Sequence, residues 1–152
     1  EMRDLETVAM ALETANTGHL VFGTLHTSTA ISTVDRIIDL FPHEQQSQIR
    51  SVLADTLRAV VSQCLLRKIG GGRVAALEIL VSNTAVANLV REAKNQQITS
   101  IMSTQKAIGN RLLNDELAAL VKDKVVEYEE ALSAALDKGG LAKMCNQPPP
   151  KI

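Results

Sequence analysis

One short stretch of the sequence, TGHLVFGTLHTSTA at residues 17–30, gathers side chains well suited to chemistry. Its apolar run begins at His19 and ends at His26, and hydroxyls surround the second histidine at Thr24, Thr27, Ser28 and Thr29. An imidazole can donate a hydrogen bond to a phosphate oxygen, and it titrates close enough to neutrality to respond to phosphate charge. The pattern therefore makes His26 a candidate phosphate sensor.

From the residues alone, other interpretations of the two histidines stay open. His26 can equally be a strand-end histidine bonded to a backbone carbonyl, with the hydroxyls acting as helix caps. A shared metal ion is disfavoured, because seven residues of extended chain separate the histidines by roughly 23 Å at about 3.3 Å per residue. Because the sequence also offers no third zinc ligand nearby, His19 is interpreted as structural.

A second chemically useful group, EMRD, supplies Glu1, Arg3 and Asp4. A carboxylate here can orient water or a metal-bound water beside a phosphate, and an arginine can neutralise developing charge. The simpler alternative is that acidic residues occupy the first turn of a helix, where the helix dipole favours them. The sequence contains no GxxxxGK[ST] phosphate-binding loop, so this chain alone is predicted to be inactive as an ATPase.

The elements that position these residues are predicted from hydrophobic spacing and turn signals. Helical spacing predicts a helix over 2–16, and the run of β-formers at 19–27 predicts a buried, parallel strand. His26 would lie at the carboxyl end of that strand, where ligands of open α/β sheets gather, in front of a helix capped by Ser28 or Thr29. A longer helix is predicted over 43–64.

The remaining sequence predicts a hairpin followed by helices. LLRKI and RVAALEILV are joined by three glycines, which is typical of two strands and a turn. Helices are predicted over 84–94, 96–106, 113–123 and 127–137, and NQPPPKI predicts a disordered end. Three strands are few for an α/β layer, so further strands are expected upstream of residue 1. The predicted divisions are an α/β part at 1–82, a helical subdomain at 83–138 and a flexible tail at 139–152.

Composition narrows the classes of function. The 16 basic and 17 acidic residues give a net charge of −1, which lacks the basic footprint of a nucleic-acid or anionic-membrane binder. No segment reaches the roughly 18 apolar residues of a membrane span. The widely separated Cys64 and Cys145 favour a reduced, cytoplasmic compartment over a disulfide framework.

Together, these motifs resemble one family. Residues 1–30 are similar to the end of the Walker B motif and the histidine box of type II/IV secretion ATPases, whose usual forms are GE(I/M)RDxET and TGHLVxxTLHT. DRIIDLFP, GGRVAALEIL and YEEAL follow in the same order, so the resemblance extends from Glu1 to about Leu136. It implies an α/β fold: a partial RecA-like P-loop NTPase core that lacks the upstream phosphate-loop strands, followed by a C-terminal helical subdomain.

The resemblance also implies roles for individual residues. Glu1 matches the Walker B glutamate, which would support Mg²⁺ and the hydrolytic water. No direct metal ligand is expected in this chain, and Glu1 is the candidate for any contact to Mg²⁺. His26 matches the second histidine of the histidine box and is expected near the γ-phosphate, which makes Glu1 and His26 the expected catalytic residues. The residues expected to support the nucleotide site are Arg3, Asp4, His19, Thr24 and Thr27.

For the whole protein, the resemblance implies an ATPase that uses ATP and Mg²⁺. Six copies would form a ring on the cytoplasmic side of the inner membrane, where a platform protein would transmit its work to pilin fibres. Such a motor binds no nucleic acid and has no membrane span of its own.

Two features bear on the subfamily. Assembly and type II secretion members usually carry a four-cysteine zinc loop before the strand matching GRVAALEI, whereas only RKI and three glycines stand there in this chain. This favours a retraction motor for twitching motility. NTAVANLVREAKNQQI also resembles the retraction element AIRNLIREGKxxQI, with alanines at 87 and 93 in place of Arg and Gly; the matching residues are Asn88, Leu89, Arg91 and Glu92.

Two alternatives remain from the sequence. One is an assembly or type II secretion ATPase of the same family with a shortened loop. The other, of a different class, is a non-catalytic oligomerisation or interaction module, because the chain has no phosphate-binding loop.

Overall fold

The computed structural model describes residues 1–148, which form a helical chain around one antiparallel hairpin. The first helices are α1 (Leu5–Asn16), α2 (Ala30–Asp39) and α3 (His43–Thr56), and the strands are β1 (Ala59–Arg67) and β2 (Arg73–Val81). The later helices are α4 (Thr84–Arg91), α5 (Ile98–Thr104), α6 (Leu113–Lys122), α7 (Tyr128–Ala134) and α8 (Lys138–Met144), with 3₁₀ turns at Asn95–Gln97 and Lys106–Ile108. The predicted α/β class with a helical C-terminal part is confirmed.

Local sequence signals account for the ends of the first two helices. The Asp4 carboxylate accepts a hydrogen bond of 2.8 Å from the Thr7 backbone N–H, which caps α1. Gly18, with φ of 97°, takes the left-handed conformation that ends a helix without a steric penalty. At α2, Thr29 and Ser32 form a reciprocal capping box, so the predicted cap at Thr29 is confirmed.

The predicted buried strand at 19–27 is wrong for the described residues, 1–148. Within residues 1–148, no other segment forms a ladder with it, and the only strand pairing is between β1 and β2. Phe22 is 89% exposed rather than buried. Residue types favour an extended backbone here, but a strand also needs a hydrogen-bonded neighbour, and none of the described elements supplies one.

The predicted helix at 43–64 is too long. It ends at Thr56, and the chain enters β1 at Ala59. Leu57, Val60 and Val61 fit a helical spacing by sequence, but alternate residues of β1 are buried, as the inner face of a sheet requires. The predicted hairpin is confirmed: β1 and β2 pair antiparallel from Ala59↔Val81 to Arg67↔Arg73. Gly70, Gly71 and Gly72 form its turn, all with positive φ.

The buried side chains form two clusters, and the hairpin contributes to both. The first cluster joins α1–α5 with one end of the hairpin, through Val60 and Leu80. The second joins α6–α8 with the other end, through Leu66 and Ala76. Because α4 and α5 belong to the first cluster, they pack with the N-terminal helices. The division of the chain into two parts at residue 82 stays a prediction. No helix among residues 1–148 is both long and apolar enough to cross a bilayer.

The predicted flexible tail is wrong at its beginning. Residues 138–144 form α8, whose start is capped by Asp137 accepting from the Gly140 N–H at 2.8 Å. Leu141 is 0% exposed and packs in the second cluster. The two glycines suggested fraying by sequence, but burial of Leu141 and Ala142 holds the helix in place. The predicted disorder of NQPPPKI lies, for residues 149–152, outside the described range.

Truncating Leu141 tests whether α8 is part of the folded core. Leu141→Ala is expected to destabilise the chain by about 2–5 kcal/mol, because it leaves a cavity in the second cluster. Met144→Ala, on the same helix but about half exposed, is the matched control and should change stability by less than about 1 kcal/mol. Urea unfolding measures both, and equal effects would show that α8 is not packed.

Candidate functional site

Glu1, Arg3 and His26 form a charged cluster. The His26 Nε2 atom lies 2.5 Å from Glu1 Oε1, and Arg3 Nε donates to the same oxygen. Because a carboxylate only accepts, Nε2 is the protonated ring nitrogen in this contact. The predicted catalytic pair is therefore in direct contact, although 25 residues separate the two in the sequence.

The cluster is accessible and its carboxylate is held ionised. The side chains of Glu1 and His26 are 38% and 65% exposed, which leaves room for a water or phosphate. The hydrogen bond from His26, and then that from Arg3, lower the pKa of Glu1 from its usual range. A carboxylate that is charged at neutral pH can accept a hydrogen bond from water and orient it.

His26 has an uncommon backbone. Its φ of 51° lies in the left-handed region, which costs energy for a residue with a side chain. Such conformations persist only where the surrounding contacts determine them, and they concentrate at functional sites. The adjacent Thr27 is fixed by a hydroxyl–hydroxyl bond of 2.6 Å to Thr33 on α2.

The start of α2 already holds an anion from the protein. The Ala30 N–H donates to Glu78 Oε1 at 2.9 Å, across 48 residues of sequence. Glu78 and the Thr29 capping box therefore take up hydrogen-bonding groups at the start of the helix that follows His26. Sequence reasoning missed Glu78. The only available signal was a carboxylate on the inward face of a strand, where a charged group needs a partner.

Three of the predicted support residues, His19, Thr24 and Thr27, line a cleft of about 730 Å³ between residues 18–27 and the start of β1. The cleft reaches both histidines, but His19 Nδ1 lies 3.2 Å from Thr17 Oγ1 and makes no contact with His26. The Thr24 carbonyl accepts from the Met2 N–H at 2.9 Å, which holds the EMRD segment against the histidine box. Asp4 caps α1 and stands apart from the charged cluster.

The residues of the retraction-like helix lie on α4. Arg91 bonds to Asp55 at the end of α3 and donates to Asn88 at 3.0 Å. Asp55 also lines the cleft, so an ion pair connects α4 to the cleft wall. Leu89 packs against the first cluster, and a hydrogen bond from Lys94 lowers the pKa of Glu92.

Metal-binding capacity is limited. Among residues 1–148, no three His, Cys, Asp or Glu side chains are grouped as a metal site requires. Glu1 is the one carboxylate of the charged cluster, and it already accepts hydrogen bonds from Arg3 and His26. Mg²⁺ binds through one or two carboxylates with waters and phosphates, so Glu1 fits as a single ligand or as the acceptor of a metal-bound water.

Comparison with known proteins agrees with the motifs. The family described as type II/IV secretion system protein matches residues 1–71. The type IV pilus retractation ATPase PilT of Pseudomonas aeruginosa is 48% identical over 135 residues, which is 89% of this chain and 39% of that protein. The twitching motility protein of Neisseria gonorrhoeae is 50% identical over 132 residues, covering 86% of this chain and 35% of that protein.

A solved structure extends the similarity to the fold. The crystal structure of the pilus retraction motor PilT with bound ADP matches with a TM-score of 0.85 and 52% identity, over 94% of this chain and 40% of that one. The chain belongs to the type II/IV secretion system protein family. It spans less than half the length of these relatives, and the predicted family resemblance, including its similarity to the retraction motors, is confirmed.

The Asp4 cap gives a pH-dependent prediction. The Thr7 backbone N–H, assisted by the Thr7 hydroxyl, lowers the pKa of Asp4 below its usual 3.8. A lowered folded-state pKa stabilises the fold above the unfolded value and loses that effect as the pH falls. At pH 7 the parent chain is therefore expected to have a higher melting temperature than the Asp4→Asn variant. The difference between the two melting temperatures is expected to shrink below about pH 4. Thermal melts at pH 7 and below pH 4 check this prediction, and a difference in melting temperature that grows in acid would contradict it.

Proposed function

We propose that this chain is part of an ATP-hydrolysing hexameric motor that powers type IV pilus retraction. The observation that carries the proposal is the contact between Glu1 and His26, with Arg3 on the same carboxylate. These are the residues that the Walker B and histidine-box similarity assigns to ATP hydrolysis. The names of two relatives, a pilus retractation ATPase and a twitching motility protein, support the direction of work.

In the proposed mechanism, Glu1 is the group that orients the attacking water. His26 and Arg3 hold Oε1, which leaves Oε2 of the carboxylate free to accept a hydrogen bond from that water. Arg3 contributes positive charge beside the site where negative charge develops on the phosphate oxygens. When bound, Mg²⁺ would neutralise charge on the β- and γ-phosphates, with Glu1 as the protein group that holds it or its water.

The phosphate-cradling part of the site is proposed to come from the rest of the protein. The first relatives are more than twice as long as this chain, and the chain has no phosphate-binding loop of its own. The cleft beside the histidine box is bordered by exposed apolar side chains, Leu20 and Phe22 on one wall and Val61 on the other. We propose that a strand leading to the phosphate loop fills this cleft, pairing with the extended segment.

The remaining assignments of the whole protein are proposals on the same basis. They are a homo-hexameric ring, a position at the cytoplasmic face of the inner membrane, and an inner-membrane platform protein as partner. The tight turn between β1 and β2, closed by Lys68 N–H donating to the Gly72 carbonyl at 3.0 Å, supports retraction over assembly, since it leaves no zinc loop. Asn88, Leu89, Arg91 and Glu92 are proposed to serve the retraction-linked role of α4.

Substitution of His26 in the complete protein tests the site. His26→Ala is expected to lower kcat for ATP hydrolysis by roughly 100-fold, because Glu1 loses the donor that fixes its orientation. Binding of a fluorescent ATP analogue should change little, since the phosphate loop would supply most of the affinity. Phosphate release measures the first quantity and fluorescence anisotropy the second.

The third histidine gives a matched control. His43 is exposed at the start of α3 and makes no contact with the charged cluster, so His43→Ala should hydrolyse ATP at the unaltered rate. Normal turnover by His26→Ala would reject the proposed role, and so would equal losses in both variants.

The direction of the motor is tested in cells. Deletion of the gene is expected to leave cells with excess surface pili and no twitching, because fibres are still assembled but not withdrawn. Electron microscopy counts the pili and a stab assay measures twitching. Bald cells would identify an assembly motor of the same family.

A further inference from the structure

Glu78 occupies an unusual position. It lies on β2, and its cross-strand partner Ser62 is buried, which places both on the inward face of the hairpin. An inward-facing carboxylate needs a hydrogen-bond donor, and Glu78 finds one in the Ala30 N–H at the first residue of α2. The positive end of the helix dipole makes that position favourable for a carboxylate.

The contact lies four residues from His26. Between them the backbone is held at Thr27, by its bond to Thr33, and at Thr29, by the capping box with Ser32. Both of those restraints belong to α2 itself or to its start. Glu78 is different because it ties this end of α2 to the hairpin, 48 residues away.

The left-handed backbone of His26 makes this link consequential. A residue in that conformation relaxes unless its neighbours determine it, and relaxation would swing the imidazole away from Glu1. The restraints at Thr27 and Thr29 hold His26 relative to α2, and burial of Ala30 and Val34 holds that helix in the first cluster. The bond from the hairpin supplies a fixed reference for the helix start.

We propose that Glu78 is a positioning residue for ATP hydrolysis, acting through the start of α2 to hold His26 against Glu1. The inference rests on the proposed function. It assigns to Glu78 no contact with nucleotide or water. What matters is the hydrogen-bond acceptor at this place, because the donor is a neutral backbone amide.

Variants of the complete protein test the proposal. Glu78→Ala is expected to lower kcat about tenfold while KM for ATP stays within about twofold, since the misplaced group acts on the reaction step. Glu78→Gln retains an acceptor oxygen and is expected to restore kcat to within about threefold of the parent. Circular dichroism and thermal melts establish that each variant is folded.

A double mutant separates positioning from a general structural effect. If Glu78 acts through His26, then Glu78→Ala should lower kcat no further in a His26→Ala background. Glu130 offers a matched control, because its carboxylate also accepts from a backbone N–H, that of Arg67 at 2.9 Å, but lies on α7, which packs in the second cluster. Glu130→Ala is expected to leave kcat unchanged.

The contradicting outcomes are distinct. Additive losses in the double mutant, unaltered kcat in Glu78→Ala, or an equal loss in Glu130→Ala would each overturn the proposal. If Glu78→Ala does not fold, Glu78→Asp takes its place in the experiment, because its shorter side chain withdraws the acceptor from the Ala30 N–H. A normal kcat for Glu78→Asp would also overturn the proposal. Full turnover by His26→Ala would also overturn it, whereas no ATP hydrolysis by the unsubstituted complete protein would reject the proposed function itself.

Discussion

The antiparallel ladder between β1 and β2 is the interaction on which the other parts of the structure depend. Its inner face supplies Val60 and Leu80 to one apolar cluster and Leu66 and Ala76 to the other, so neither cluster is complete without it. Its outer edge also receives Arg111, through paired backbone bonds of 2.9 Å with Ile79. A two-stranded ribbon is marginal alone in water, and here the helices packed on its inner face stabilise it.

The site is built on weak contacts that the fold organises. Glu1, Arg3 and His26 are all substantially exposed, so their mutual attraction in this chain is screened by water. The contact is maintained by geometry: the Met2–Thr24 backbone bond aligns the two segments, and the backbone at His26 directs the ring. Exclusion of water by further protein or by nucleotide would strengthen the attraction between these charges.

Predictions from sequence held where short-range chemistry decides the structure. The Thr29 cap and the glycine turn depend on residue types at fixed local spacing, whereas the contact of Glu1 with His26 spans 25 residues and was expected only through the family resemblance. Predictions failed where a distant partner decides. Residues 19–27 have the composition of a strand but no neighbouring strand in the part of the chain that the structure describes, and α8 is held by burial of Leu141 despite its two glycines. Glu78 could not be assigned to Ala30, because nothing local marks a bond across 48 residues.

The glycine turn of the hairpin has a practical consequence. At Gly70, Gly71 and Gly72, a side chain would meet no atom within 4 Å, so the turn projects into open space. A loop that packs on nothing can be lengthened at small entropic cost, since doubling its length adds only about 0.6 kcal/mol. This turn is therefore suited to inserting a fluorophore tag or affinity epitope, at the end of the hairpin farthest from the histidine box. Such an insertion would label the protein while leaving both apolar clusters as they are.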